Sequence, residues 1–285
     1  MPKVSVLMPV YKTDEKFLRE AIESILNQTF KDFEFLILDD CPDDTRENIV
    51  KSYKDKRIKY SKNEKNMGIT PSRNKLIDMA KGEYLAVMDH DDVSLPERFA
   101  KQVAYLDAHK DVGVVSCKVM SMIRGKASKN PTNSNDIKLA LMSVSAMAHP
   151  ASMIRKSVLT ENKIRYEEEF SPSEDYALWC RLIPHTNFHN IDEILFHYRD
   201  HAENTTHKQK DKMHQVSLAI KSFVKCDNPT IYNEFSLKAK QTTRIRLFGF
   251  IPFLTIVKRA NISKVYLFEK ILLISRKETT KLQGK

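Results

Sequence analysis

A chain of 285 residues has room for one large domain with an appendage, or for two small domains. With 41% apolar and 29% charged residues its composition is that of an ordinary globular protein. Its four cysteines are far apart, which argues against a zinc site or a disulfide framework and for a reducing compartment. No apolar run approaches the ~20 residues of a membrane-spanning helix, and the N-terminus does not resemble a signal peptide. We therefore expect a cytoplasmic protein.

The net charge of +10 is concentrated at the C-terminal end. From Lys208 onward the chain has 17 Lys/Arg against 5 Asp/Glu, whereas the first 207 residues have a balance of −2. This asymmetry is typical of a segment that meets an anionic partner, either a membrane surface or a nucleic acid.

Apolar runs alternate with amphipathic segments through the first 120 residues. The pattern predicts strands at 3–10, 33–38, 57–61, 84–88 and 112–120, and helices at 14–27, 70–79 and 95–108. Asp44 and Glu47 resemble a capping box that opens another helix, and Pro96 fits the first turn of the helix that follows it. Strands that alternate with helices in this way indicate βαβ units, and hence an α/β fold with a mostly parallel sheet.

Beyond Ser121 the pattern is looser. It predicts a polar loop over 130–135, a short helix over 137–142, a segment at 146–154 that leads into a strand, a helix over 171–182 and a strand over 191–198. Within the helix over 171–182, Glu174 and Asp175 fall in the first turn, where the helix dipole favours negative charge.

Carboxylates follow two of the predicted strands where they end. Asp39 and Asp40 close the second strand, and Asp89, Asp91 and Asp92 follow the strand over 84–88. Right-handed crossovers align parallel strands, so their carboxyl ends meet at the edge where open α/β sheets bind ligands. Hard oxygen ligands suit Mg²⁺ or Mn²⁺ shared with a phosphate. The alternative is that these carboxylates only end strands and cap helices.

No glycine-rich phosphate loop follows the first strand, which argues against a dinucleotide or P-loop site. With only six glycines in the chain, metal and arginine are better suited to meet phosphate charge. Tyr11 should lie in the same crevice as the carboxylates, because it follows the first strand.

A series of short motifs runs through the chain from about Val4 to Thr206. They are Met8-Pro9-Val10-Tyr11, Leu38-Asp39-Asp40, Asn66-x-Gly68, Ser72-Arg73-Asn74, Gly82-Glu83-Tyr84, Asp89-His90-Asp91-Asp92, His149-Pro150, Glu174-Asp175-Tyr176 with Leu178-Trp179, and Tyr198-Arg199-x-His201. In this order and spacing the set resembles the family 2 inverting glycosyltransferases of the bacterial surface-polysaccharide type, which have the GT-A nucleotide-sugar fold. The resemblance covers nearly the whole of the chain that precedes the basic end.

The resemblance implies a role for each matching residue. Pro9 and Tyr11 would line the base pocket of a nucleotide, and Asp39 would accept a hydrogen bond from uracil. Arg73 would lie near the base and diphosphate, and Asp89 would face the ribose and metal-bound groups. A divalent ion, Mn²⁺ or Mg²⁺, would be held by Asp91, with His201 close to it. Asp175 would be the general base that takes a proton from an acceptor hydroxyl.

Three further residues are candidates for the acceptor side, and each also has a purely structural interpretation. His149 either has an acceptor-side or loop-supporting role or is a packed core histidine. Trp179 either stacks on a sugar or packs in the core. Glu174 is more readily a support for Asp175 than a second base.

The basic end contains a weak repeat in which a short apolar core is flanked by basic residues, at 244–259 and again at 264–277. We predict a GT-A catalytic domain over 1–206 and a basic extension over 207–285. Basic flanks with Phe and Leu suit a segment at an anionic membrane surface, although the stripes also suit docking on protein.

The sequence thus predicts a metal-dependent transferase that moves a sugar from a UDP-sugar to a glycan or lipid-linked acceptor in surface-polysaccharide (LPS or capsule) biosynthesis. We expect it to lie peripherally on the inner face of the cell membrane and to bind no nucleic acid. The alternatives are a sugar-phosphate nucleotidyltransferase, which would want a glycine-rich loop, and a non-catalytic binding protein with the same fold.

Overall fold

The computed structural model describes residues 1–200, 208–238, 241–247, 251–259, 262–267 and 270–276. Contacts divide the chain into two compact units, Met1–Asn228 and Pro229–Lys285. The helix over 210–227 therefore belongs to the first unit, although it lies in the basic part of the sequence.

The first unit alternates strands and helices along most of its length. Its strands are β1 (Val4–Val10), β2 (Phe33–Asp39), β3 (Ile58–Lys62), β4 (Tyr84–Val87), β5 (Val93–Ser94), β6 (Val112–Ser121), β7 (Met153–Arg155) and β8 (Asn187–Tyr198). Its helices are α1 (Glu15–Leu26), α2 (Glu47–Ser52), α3 (Ile69–Met79), α4 (Arg98–Ala108), α5 (Ser134–Leu141), α6 (Lys156–Glu161), α7 (Glu174–Leu182) and α8 (Lys210–Asp227). Short 3₁₀ helices lie at His149–Ala151 and Glu168–Phe170.

The eight strands form one mixed sheet in the order β3-β2-β1-β4-β7-β6-β8-β5. The pairs β3-β2, β2-β1, β1-β4 and β6-β8 are parallel, whereas β7 runs antiparallel to both of its neighbours and β5 runs antiparallel to β8. The predicted α/β fold with a mostly parallel central sheet is confirmed, and the antiparallel strand β7 joins its two parallel parts.

The central strands are buried on both faces because helices cover the sheet on each side. Every residue of β1, β2 and β4 is buried, which explains their continuous apolar sequences. Helix α1 packs with Leu18, Ala21, Ile22 and Ile25, whose spacing of three and four residues places them on one stripe. Asp14 caps this helix, since its carboxylate accepts a hydrogen bond of 2.8 Å from the Lys16 N–H.

Two local predictions were wrong. Asp44 does not open a capping box, because α2 begins only at Glu47, Arg46 occupies the N-cap position, and the Asp44 carboxylate pairs with Arg46 at 2.7 Å. Pro96 is not in the first turn of α4, which begins only at Arg98. It follows strand β5 and Leu95, and the Leu95 N–H still bonds the Leu195 carbonyl at 3.0 Å.

The second unit comprises helix α9 (Pro229–Lys238) and four strands, β9 (Gln241–Leu247), β10 (Ile251–Arg259), β11 (Ile262–Leu267) and β12 (Lys270–Arg276). The strands form an antiparallel sheet in the order β12-β11-β10-β9. The first copy of the weak repeat falls on β9 and β10, and the second on β11 and β12. In the part of the chain that the structure describes, no helix is long and apolar enough to cross a bilayer.

Candidate active site

The carboxyl ends of β1, β2 and β4 meet at one edge of the sheet. Val10 at the end of β1 pairs with Asp39 at the end of β2, and Leu7 pairs with Val87 of β4. The residues that follow these strands therefore come out side by side.

A groove made of two adjoining cavities lies at this edge. The larger cavity has a volume of about 450 Å³ and the smaller about 270 Å³. They share Pro9, Ile69, His90 and Pro172, so they lie side by side, and together they are called the groove. The larger cavity is further lined by Val10, Tyr11, Asp40, Asn66, Gly68, Ser72, Ser171, Gln209 and Lys212. The smaller is further lined by Arg73, Asp89, Asp91, His149, Pro150, Glu174, Asp175, Tyr198 and Met213.

Of the two aspartates at the end of β2, Asp40 is the one that lines the larger cavity. Its carboxylate accepts hydrogen bonds from the Asn63 side chain at 2.7 Å and from the N–H groups of Met67 at 2.8 Å and Gly68 at 2.7 Å. Gly68 has a φ of +87°, which favours glycine, and it leads into helix α3. Asp40 therefore fixes the loop that forms one wall of the cavity, where Tyr11 lies 42% exposed.

Asp39 lines neither cavity. It is fully buried, and its oxygens accept hydrogen bonds from the Cys41 N–H at 3.0 Å, the Arg46 N–H at 2.6 Å and the Tyr60 hydroxyl at 3.1 Å. Adjacent residues of a strand face opposite sides of the sheet, so one aspartate of the pair points toward the groove and the other into the protein. That alternation was the signal for Asp40, which sequence reasoning did not single out.

Arg73 joins the two acidic segments of the smaller cavity. Its guanidinium donates to the Glu174 carboxylate at 2.5 Å and to the Asp89 carboxylate at 3.4 Å, and it lies over the Tyr166 ring at 5.6 Å. Burial disfavours its charge, but the carboxylates of Glu174 and Asp89 outweigh that effect and raise the pKa of Arg73 above its usual value. The ion pair holds the start of α7 against the end of β4.

Asp175 is a carboxylate with a raised proton affinity at the wall of the smaller cavity. Burial, followed by the neighbouring Glu174 charge, raises the pKa of Asp175 to about 6, and Arg73 opposes the shift. Glu174 is buried, and its second oxygen has no hydrogen-bond partner among the described residues.

Asp89 and Asp91 both line the smaller cavity. Asp92, the residue before β5, is buried and accepts a hydrogen bond of 2.7 Å from the Arg199 N–H. Burial, only partly offset by Arg73, raises the pKa of Asp89. The described residues contain no group of three side chains that would hold a metal ion unaided. Two carboxylates on one cavity do fit Mg²⁺ or Mn²⁺ if a substrate supplies phosphate oxygens, as such ions prefer.

The acceptor-side candidates separate into two groups. His149 and Glu174 line the smaller cavity, whereas Trp179 is fully buried and lines neither cavity. His149 is hydrogen bonded to the Tyr166 hydroxyl at 2.8 Å, and burial together with Arg73 lowers its pKa, which keeps the ring neutral. The Trp179 ring packs 5.7 Å from the His149 ring, beneath the groove. His201, predicted near the metal, lies outside the described residues.

Helix α8 also contributes to the groove, which the sequence did not predict. Gln209 and Lys212 line the larger cavity and Met213 the smaller one. The amphipathic spacing in 210–227 was a signal for the helix, but nothing in it showed where the helix packs.

The profile of Glycosyl transferase family 2 matches residues 5–162, and the chain belongs to this family. It is 38% identical over 207 residues to an uncharacterized glycosyltransferase, MJ1057, of Methanocaldococcus jannaschii, covering 70% of this chain and 71% of the relative. It is 32% identical over 232 residues to the O-antigen biosynthesis glycosyltransferase WbnJ of Escherichia coli, covering 78% and 89%. The protein is therefore a glycosyltransferase.

Two solved structures share the fold at low sequence identity. S. aureus TarS 1–349 in complex with UDP-GlcNAc superposes with a TM-score of 0.67 at 22% identity, covering 82% of this chain and 72% of TarS. The mannosyltransferase PcManGT of Pyrobaculum calidifontis, in complex with GDP-Man and Mn²⁺, gives a TM-score of 0.55 at 15% identity, covering 82% and 73%. These likenesses establish the GT-A fold predicted from the sequence.

Proposed function

We propose that this glycosyltransferase moves a sugar from a UDP-sugar to an acceptor hydroxyl with inversion, and that Asp175 is its general base. The observation that carries the proposal is the convergence of Asp175, Asp89, Asp91 and Arg73 on one cavity, beside a second cavity lined by Tyr11 and Asp40. The larger cavity suits a nucleoside and the smaller one the reacting centre.

In the proposed reaction, the acceptor oxygen attacks the anomeric carbon from the face opposite the diphosphate. A new C–O bond forms, the bond from the anomeric carbon to the diphosphate breaks, and its electron pair leaves with UDP. The hydroxyl proton goes to the Asp175 carboxylate. A pKa of about 6 suits this step, because the base is ionised at neutral pH and still binds a proton better than an ordinary aspartate.

The groove supports the choice of donor. Tyr11 offers an aromatic face, and Asp40 offers a carboxylate that suits the N3–H of uracil. TarS, which shares the fold, binds UDP-GlcNAc.

Asp91 and Asp89 would hold Mn²⁺ or Mg²⁺, and the structure of PcManGT contains Mn²⁺. When bound, the ion neutralises charge on the leaving diphosphate. Arg73 keeps the Asp89 carboxylate oriented through its hydrogen bond of 3.4 Å.

We further propose a glycan or lipid-linked acceptor in surface-polysaccharide assembly, supported by the similarity to WbnJ. The basic end of the chain, with 17 Lys/Arg against 5 Asp/Glu, would bring the enzyme to an anionic membrane surface.

A screen of UDP-sugars for Mn²⁺-dependent release of UDP tests the proposed reaction. At least one donor should be turned over, excess EDTA should stop the release, and Asp91→Asn should lose the metal-dependent rate because an amide is a poor ligand for a hard cation. Full activity in EDTA would exclude the metal role. GDP-sugars as the accepted donors would exclude the uracil assignment.

Co-sedimentation with vesicles tests the membrane proposal. The full chain should bind anionic vesicles better than neutral ones, with an affinity that falls as salt rises. Phe250→Ser with Phe253→Ser removes apolar area and leaves the charge intact, so binding at high salt should fall in this variant. Unchanged vesicle binding would show that these aromatic residues do not enter the membrane.

A further inference from the structure

Helix α8 is anchored at one end and reaches the groove with the other. Near its C-terminus, Phe223 packs on Phe170 at 5.2 Å between ring centroids and lies under the Arg181 guanidinium at 4.3 Å. Arg181 also pairs with Asp227 at 3.0 Å, and Val224 is fully buried. This packing holds α8 against α7, so the first turn of α8 lies at the groove in a fixed register.

The first turn of α8 supplies one wall of both cavities. Gln209 and Lys212 line the larger cavity, and Met213 lines the smaller one. Lys212 is exposed. Because Lys212 lines the larger cavity and the next residue, Met213, lines the smaller one, this turn of α8 borders both cavities.

The charge balance of the groove makes this lysine significant. The described residues that line the two cavities include five carboxylates, namely Asp40, Asp89, Asp91, Glu174 and Asp175. Against them stand two lysine or arginine side chains, Arg73 and Lys212. Arg73 is already engaged by Glu174 and Asp89. A nucleoside diphosphate brings further negative charge into a groove that is acidic overall. Among the described lysine and arginine residues that line the groove, Lys212 is therefore the one placed to receive this charge beside the proposed divalent ion.

We propose that Lys212 binds the diphosphate of the donor from the first turn of α8. The inference rests on the proposed function, since it assigns one more residue to the same nucleotide-sugar site. A lysine suits phosphate binding because its ammonium group is a compact charge, and its flexible side chain can adjust to the position of the phosphate. Lys212 thus binds the diphosphate from the helix side, opposite the carboxylates at the strand ends.

Calorimetric titration of the full-length protein with UDP and Mn²⁺ tests the proposal. Lys212→Met should weaken UDP binding about three- to tenfold, the range of a partly exposed charge-assisted contact. Binding of uridine, which has no phosphate, should be unchanged. Lys212→Arg should retain most of the affinity. Lys210→Met is the matched control, because Lys210 lies in the same turn and lines neither cavity.

The possible results distinguish a failure of the Lys212 assignment from a failure of the UDP-sugar proposal. Equal UDP affinity in Lys212→Met and the parent would overturn the role of Lys212 while leaving the proposed function intact. A parallel loss for uridine and UDP would also overturn it, because the substitution would then have disturbed the helix and not a phosphate contact. A parent that binds neither UDP nor uridine would instead refute the UDP-sugar proposal.

Discussion

The groove has two walls of different origin. The strand wall consists of residues at the carboxyl ends of parallel strands or shortly beyond them, namely Pro9, Tyr11, Asp40, Asp89 and Asp91. The helix wall consists of Glu174 and Asp175 at the start of α7 together with Gln209, Lys212 and Met213 around the first turn of α8. The strand wall is formed by residues whose positions follow from the local alternation of strands and helices. The helix wall is formed by residues that packing brings to the groove from a distant, later part of the chain.

The two walls differ in the chemistry that they provide. The strand wall offers carboxylates and an aromatic face, which suit binding of a nucleotide and a cation. The helix wall surrounds Asp175 with burial and a neighbouring negative charge, and this raises its pKa to about 6. Arg73 joins the walls, since it contacts Asp89 on one and Glu174 on the other.

Asp175→Asn should have the largest effect, and it should impair the helix wall while leaving the strand wall intact. The amide keeps the size of the side chain but cannot accept the proton, so turnover should fall about 10²–10⁴-fold while UDP still binds. Steady-state rates and calorimetry with UDP and Mn²⁺ measure the two effects. Asp192→Asn, at an exposed carboxylate away from the groove, is the control. Loss of UDP binding in Asp175→Asn would place this residue in the donor site.

Arg73→Met should break the connection between the walls. It leaves the buried Glu174 carboxylate without its partner, and we expect a loss of about 3–5 kcal/mol in the free energy of unfolding. Denaturant titration measures this loss. Arg165→Met removes an exposed pair with Asp78 and should cost less than about 1 kcal/mol. The double variant Arg73→Met/Glu174→Gln should recover part of the loss; similar costs for both single arginine variants would show that the buried pair is not what joins the walls.

The pH dependence of kcat/KM should report the raised pKa of Asp175 in the helix wall. Asp175 acts in its ionised form, so a pKa of about 6 predicts a constant rate above that pH and a fall of about tenfold per pH unit below it. Rates at pH 5 to 8, with the metal saturating, test this. Glu174→Gln removes the neighbouring charge that raises the pKa, so the midpoint should move to lower pH. A midpoint near 4 in the parent would contradict the raised pKa.

The two aspartates at the end of β2 should behave differently within the strand wall. Asp40→Asn disturbs the cavity-lining carboxylate and should weaken uridine and UDP binding about tenfold. Asp39→Asn removes an acceptor from a buried network, so it should lower stability by about 1–3 kcal/mol and change UDP affinity less. Calorimetry and thermal unfolding of both variants separate the effects. Stronger loss of UDP binding in Asp39→Asn would support the role that the resemblance implies for Asp39 and contradict the one proposed for Asp40.

The α/β class, the main strands of the first unit and the residues of the strand wall could be predicted from local sequence patterns. These depend on local periodicity, because a buried strand needs a continuous apolar run and parallel strands must end at one edge. The motifs were sufficient for the resemblance to family 2, and residues 5–162 match that family. The capping box at Asp44 was wrong because the Asp44 carboxylate pairs with the neighbouring Arg46. The position of Pro96 was wrong because the preceding Leu95 is hydrogen bonded to Leu195, a tertiary contact that overrode the local preference.

Three features are visible only in the tertiary structure: Asp40 and not Asp39 lines the groove, Trp179 is wholly in the core, and α8 contributes to the site. Asp39 and Asp40 are equivalent in composition, and the direction of each side chain depends on the register of β2 against β1 and β3. The pKa of Asp175 depends on burial and on Glu174, and Arg73 contacts Glu174 across 101 residues of sequence. Such contacts result from packing of the whole unit, and no local sequence pattern encodes them.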